Sequence, residues 1–150
     1  MNEALEIKKK IEMLVSRLGF GGEAIVKQRD QAFLVHLAVD TPAILIGRDG
    51  EGLYALQHLL RLLCLRPQAE GSRPIILDIN GYREKKEDFI TQSVKAAIAA
   101  AEATGQEQIL PPMNSFERRL IHVLVAKHPG FTSESTGEGP ERQVVIKPAG

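Results

Sequence analysis

The stretch "DTPAILIGRDGEGLYALQHLLRLLC" constrains this chain most. Pro42 suits the first turn of a helix, with Asp40 or Thr41 as its cap. Gly47 stops that helix after little more than one turn. After Gly50 a longer helix begins, and Leu53, Leu56, Leu59, Leu60, Leu63 and Cys64 mark its expected buried stripe. Two helices must therefore meet end to end across Gly47-Arg48-Asp49-Gly50, with backbone exposed between them. The dinucleotide fingerprint needs its glycines in another order and a strand before them. The P-loop needs a Lys-Ser or Lys-Thr pair, which the chain lacks. Both nucleotide readings fail. A backbone clamp fits better: glycine has no Cβ, so a sugar-phosphate chain can come close, and the following helix offers free N–H groups and a positive dipole end.

The surrounding elements follow from periodicity and punctuation. Ile7, Ile11, Leu14, Val15 and Leu18 have helical spacing, and "GFGG" ends that helix. "EAIVKQ" and "AFLVHLAV" flank "RDQ" and form a β-hairpin, with Phe33, Val35, Leu37 and Val39 on one face. "RPQAEGSRP" is a loop, and "IILDI" is a strand ended by "NG". The order is α-β-β-α-α-β.

A second unit starts near Tyr82. "REKKEDFITQSVKAAIAAAEATG" is helical, with Phe89, Ile90, Val94, Ala97, Ile98 and Ala101 expected inward. "EQIL" is a candidate strand. Asn114 and Glu117 form a capping box for "SFERRLIHVLVAKH". "FTSEST" and "RQVVIK" make a hairpin around "GEGPE". Arg118 and His122, four apart, share a helix face, expected opposite a stripe of Phe116, Leu120, Val123 and Leu124. Arginine offers planar donors to phosphate, and histidine can donate to phosphate or stack on a base. The same spacing is also that of an ordinary solvated helix face.

Composition narrows the classes. Lys+Arg and Asp+Glu are 19 each, so the net charge is zero. That opposes a purely electrostatic nucleic-acid binder while leaving room for a local basic groove. Asp49 and Glu51 place acids where phosphate would sit. Aromatic residues are 5% of the chain, so extensive base stacking is not expected. The single cysteine, Cys64, reads as a small core residue. His36, His58, His122 and His128 make no metal-ligand pair, and no cofactor motif is present. A nuclease built on Glu117, Arg118 and His122 lacks a second carboxylate nearby. No signal-peptide core and no run near the roughly 20 residues of a membrane span appear, so the expected compartment is the cytoplasm.

The Gly47–Gly50 turn in its six-element order resembles the type II KH domain. That resemblance implies phosphate contact by Arg48, with bases on an aliphatic groove of Ile44, Leu45 and Ile46. "GYRE", the long helix, "PMN", "ERRLIH" and "VVIKP" resemble the R-three-H domain, a small single-stranded nucleic-acid binder. It implies Arg118 and His122 as the binding pair, with Arg119, Lys147 and Arg142 beside them. Together the two resemble the Jag (SpoIIIJ-associated) family of bacterial RNA-binding proteins, over about residues 5 to 148. The expected fold is thus α/β: a KH domain over 1–80, then an R-three-H domain over 81–150. The family's N-terminal Jag domain and basic linker have no counterpart here, which implies a short member or a trimmed piece. The resemblance further implies non-catalytic binding of single-stranded RNA or DNA. It also implies a small KH-only partner protein or a homodimer, and a role in RNA-based control of cell elongation and division. The competing reading is a dimerisation or scaffold module that has lost RNA affinity.

Overall fold

The computed structural model describes residues 2–64 and 71–150. Most of the expected loop over residues 66–74 therefore lies outside the described residues. The fold is mixed α/β with two three-stranded sheets, and the chain divides into two compact units, Met1–Arg83 and Glu84–Gly150.

In the first unit, α1 (Glu3–Arg17) begins where the Asn2 side chain accepts the Ala4 N–H. Strands β1 (Gly22–Arg29) and β2 (Ala32–Val39) pair antiparallel, from Gly22 against Val39 to Arg29 against Ala32. β3 (Ile75–Ile79) pairs parallel to β2, with Phe33 against Ile75 and Leu37 against Ile79. A parallel pair needs a crossover, and α2 (Pro42–Ile46) and α3 (Glu51–Cys64) supply it. β3 is left as an edge strand. Phe33, Val35, Leu37 and Val39 are buried as the alternation predicts, and with Leu77 and Ile79 they form a core with Ile7, Ile11 and Val15 of α1 and Leu53, Leu56 and Leu60 of α3.

Two expected stripes are narrower than predicted. Leu59 and Leu63 are 46% and 47% exposed, because the core takes only the row 53, 56, 60 of a leucine-rich helix. Leu18 lies beyond the end of α1 and is exposed.

Helix α4 (Tyr82–Thr104) begins with the last two residues of the first unit and, in the second, buries Ile90, Val94, Ala97, Ile98 and Ala101. Phe89, expected inward, is 67% exposed. It sits about 100° around the helix from Ile90, off the buried row. Strands β4 (Gln108–Ile109), β5 (Phe131–Thr136) and β6 (Gln143–Pro148) make an antiparallel sheet in the order β4-β6-β5. Helix α5 (Ser115–Ala126) contributes Ile121 and Val125 to a core with Ile90, Val94, Val144 and Ile146.

Candidate nucleic-acid interface

The glycine turn is built by backbone geometry. Gly47 has φ 71°, Asp49 φ 52° and Gly50 φ 81°. Asp is one of the few side chains that enters this left-handed region at modest cost. The local fold therefore accounts for an acid at position 49, whatever its effect on a bound anion. The first amides of a helical turn have no partner within it, and Arg48 to Gly50 form such a turn. Arg48 and Asp49 are exposed; the Arg48 carbonyl accepts the Glu51 N–H, and its side chain makes no hydrogen bond or ion pair among the described residues. Ile44 is 74% exposed and Ile46 is half-buried. Leu45 is the exception: it is buried in the core and offers no groove surface.

A side-chain network backs the turn from the α3 side. A Cβ on Gly50 would lie 3.1 Å from ring atoms of both Tyr54 and Tyr82. The Arg83 guanidinium lies 5.2 Å from the Tyr54 ring centroid, donates from Nε to the Leu77 carbonyl at 2.9 Å and from Nη2 to Gln57 Oε1 at 3.0 Å. The Leu77 N–H donates to the same Oε1 at 2.9 Å, and Arg61 Nε donates to the Ile75 carbonyl at 3.0 Å. The free edge of β3 is thus covered by polar side chains. Sequence reasoning missed this network. It assigned Tyr82 and Arg83 to the second unit, and the structure packs them into the first. The available signal was that an edge strand needs its outer N–H and C=O groups satisfied or solvated.

The second candidate surface lies on α5. The capping box forms in full: Glu117 N–H donates to Asn114 Oδ1 at 2.9 Å, and Asn114 N–H to Glu117 Oε2 at 3.2 Å. Glu117 is only 4% exposed, and Lys86 Nζ of α4 sits 2.8 Å from its Oε1. The buried row of α5 is Glu117, Ile121 and Val125. Phe116 and Val123, expected in the buried stripe, are 52% and 49% exposed. Arg118 and His122 consequently flank the buried row instead of opposing it. The capping-box carboxylate lies on the same buried row and faces Lys86.

Both side chains are half-buried and held. Arg118 Nη1 donates to the Met113 carbonyl at 2.7 Å. The His122 ring nitrogens lie 2.7 Å from Ser133 Oγ and 2.8 Å from Ser135 Oγ. Each hydroxyl can donate or accept, so the pair orients the ring in either protonation state. Arg119 is exposed beside them.

Lys147 does not join this surface. Ser133 and Ser135 point to the α5 side of the sheet, and alternate residues point the other way. Lys147 pairs with Glu134 at 2.5 Å and Glu107 at 3.7 Å on that opposite side. Its hydrogen bond to Glu134 holds the ammonium charged to higher pH than usual. Arg142 donates to the Gly137 carbonyl at 2.9 Å and braces the β5–β6 loop.

Burial pushes the Cys64 thiol up, which agrees with a packing role. Among the described residues, no group of three or more His, Cys, Asp or Glu could hold a metal ion, and no helix is long and apolar enough to cross a membrane.

This geometry can be set against known proteins. Residues 88–148 match the R-three-H domain family. The match covers α5 with Arg118 and His122, and both strands of the hairpin that holds the histidine. The chain is also similar to proteins named RNA-binding protein KhpB. The one from Clostridium symbiosum is 33% identical over 112 residues, covering 75% of this chain and 50% of that protein. The one from Lactiplantibacillus plantarum is 29% identical over 133 residues, covering 89% and 41%. The one from Bacillus subtilis is 26% identical over 144 residues, covering 94% and 68%. The chain thus spans about half the length, or less, of the first two relatives.

Proposed function

We propose that this chain is a non-catalytic, cytoplasmic protein that binds single-stranded RNA through two surfaces. The supporting observation is the R-three-H match over a helix on which Arg118 and His122 stand one turn apart, each held by its own hydrogen bonds. Residues 81–150 are read as the R-three-H domain and residues 1–80 as a type II KH domain, whose Gly47-Arg48-Asp49-Gly50 turn holds backbone. Arg118, His122 and Arg119 contact the strand at one surface. Arg48 and the turn amides contact it at the other, with Ile44 and Ile46 against the bases. Relatives that carry an RNA-binding name support RNA over DNA. A small KH-only partner or a second copy, and control of cell elongation and division, belong to the same reading.

The test is fluorescence anisotropy with a labelled single-stranded RNA of about 12 nucleotides, and the matching DNA, at several salt concentrations. Arg118→Ala/His122→Ala weakens binding about tenfold or more, from the lost charge-assisted hydrogen bonds of Arg118 and the lost ring face of His122, whose two nitrogens are taken by Ser133 and Ser135. The salt slope falls by about 0.7 for each phosphate contact removed. Its melting temperature is recorded alongside, because both side chains also brace the fold. No binding by the wild type at low salt sinks this reading and favours the scaffold reading.

Asp49 offers a second test. An acid about 5 Å from a phosphate costs on the order of 1 kcal/mol in partly screened surroundings. Asp49→Asn keeps a side chain suited to φ 52° and removes only the charge. RNA binding tightens about fivefold. Unchanged affinity means that the turn does not approach the backbone.

A further inference from the structure

We infer that Gln57 is a base-reading residue of the first unit, presenting a fixed pair of amide donors to a nucleobase. The inference rests on the RNA-binding reading and adds a specificity element to it.

Gln57 lies on the α3 flank that also carries Tyr54 and Arg61, at i−3 and i+4, and the buried row of Leu53, Leu56 and Leu60 lies to one side of this flank. The Gln57 amide receives two hydrogen bonds, from the Leu77 N–H at 2.9 Å and from Arg83 Nη2 at 3.0 Å. Both partners can only donate. The atom between them must therefore be the carbonyl oxygen, which settles an orientation that amides usually leave open. The Nε2 amino group is turned away from both partners. It donates to no group among the described residues, and Gln57 is only half-buried.

An amide locked by its oxygen, with its amino group unengaged, is a pre-organised donor. The locking costs are met by folding and not by binding. Its position suits a base. Tyr54 lies between Gln57 and the Gly50 turn, and Gln57 stands six residues into α3, about 9 Å along its axis from the turn. A strand held by its backbone at the turn and running along α3 brings its next bases past Tyr54 to this amino group. Free amide donors favour bases with carbonyl edges, such as uracil, over bases whose exocyclic group is itself a donor, such as cytosine.

The experiment compares 12-nucleotide oligo-U and oligo-C, each by anisotropy at one salt concentration, for wild type and Gln57→Glu. The carboxylate still accepts from Leu77 N–H and Arg83, so the anchor and the fold are retained. The outward donors become an acceptor, which suits the cytosine amino group. The added negative charge weakens both oligomers alike and cancels in their ratio. The wild type prefers oligo-U, and the U-to-C preference shifts at least fivefold toward C in the variant. A ratio that stays put overturns the inference, even if both affinities fall, because a purely structural glutamine lowers both together. A wild type that binds neither oligomer overturns the RNA-binding reading itself, and this inference with it.

Discussion

Gly52→Ala unfolds the first unit or brings it close to unfolding, at a cost of about 3 kcal/mol or more. A Cβ at position 52 would lie 2.2 Å from the Leu45 carbonyl oxygen and 2.9 Å from that of Ile46. Both obstacles are main-chain atoms of α2, so no side-chain rotation relieves them. Relief requires α2 to lift from α3, which uncovers Leu45 and Leu53, both buried in the core. The glycine turn goes with it, because it is the link between those helices. Urea unfolding followed by amide hydrogen exchange in β2 measures the effect. A loss below about 1 kcal/mol would show that α2 yields easily and that the helix contact is not what fixes the turn. Gly50→Ala is a milder comparison in contacts, since its Cβ meets tyrosine ring atoms at 3.1 Å, but it also carries the strain of φ 81°.

Lys86→Met destabilises the second unit by about 3 kcal/mol, because it leaves the Glu117 carboxylate buried without its cation. Glu117 is 4% exposed, and Lys86 Nζ stands 2.8 Å from Oε1. Its other oxygen already accepts from the Asn114 N–H. Methionine keeps most of the lysine stem, so the loss reports mainly the charge. Adding Glu117→Gln removes the unpaired charge while preserving a capping-box residue. The double variant recovers most of the lost stability. Denaturant midpoints of the two variants test this, and a double variant no better than Lys86→Met would assign the loss to packing by the lysine stem. The site is affected as well. Arg118 and His122 flank the row that starts at Glu117, so a frayed α5 start weakens RNA binding in Lys86→Met under the proposed function.

The places where sequence reading and structure part company share one cause. The stripe of α3 could be counted from its leucines, but five candidate leucines exceed what one sheet and one helix can cover. Only packing decided that Leu59 and Leu63 stay outside. On α5, the apolar pattern suggested Phe116 and Val123 inward. The buried row is instead Glu117, Ile121 and Val125, with the carboxylate facing Lys86. Polar burial of this kind is invisible to a hydrophobic count. Lys147 alternates correctly with Ile146, yet which sheet face receives His122 depends on where α5 docks. Arg83 reads as the start of a new unit, and in the structure it closes the edge of the old one.

The sequence by itself determined the elements and their order. Pro42, Gly47, the Asn114–Glu117 box and the alternation from Phe33 to Val39 act within a few residues of themselves. Local sterics and hydrogen bonds are sufficient for such signals. It also brought the two candidate surfaces into view, since the glycine turn and the Arg118–His122 spacing are both short-range. The tertiary structure alone decided which faces are buried, that Asp49 occupies a left-handed position, and that Tyr54, Gln57, Leu77 and Arg83 meet beside the turn. Those outcomes depend on segments distant along the chain competing for the same buried area and the same hydrogen-bonding groups, and no local pattern encodes the winner.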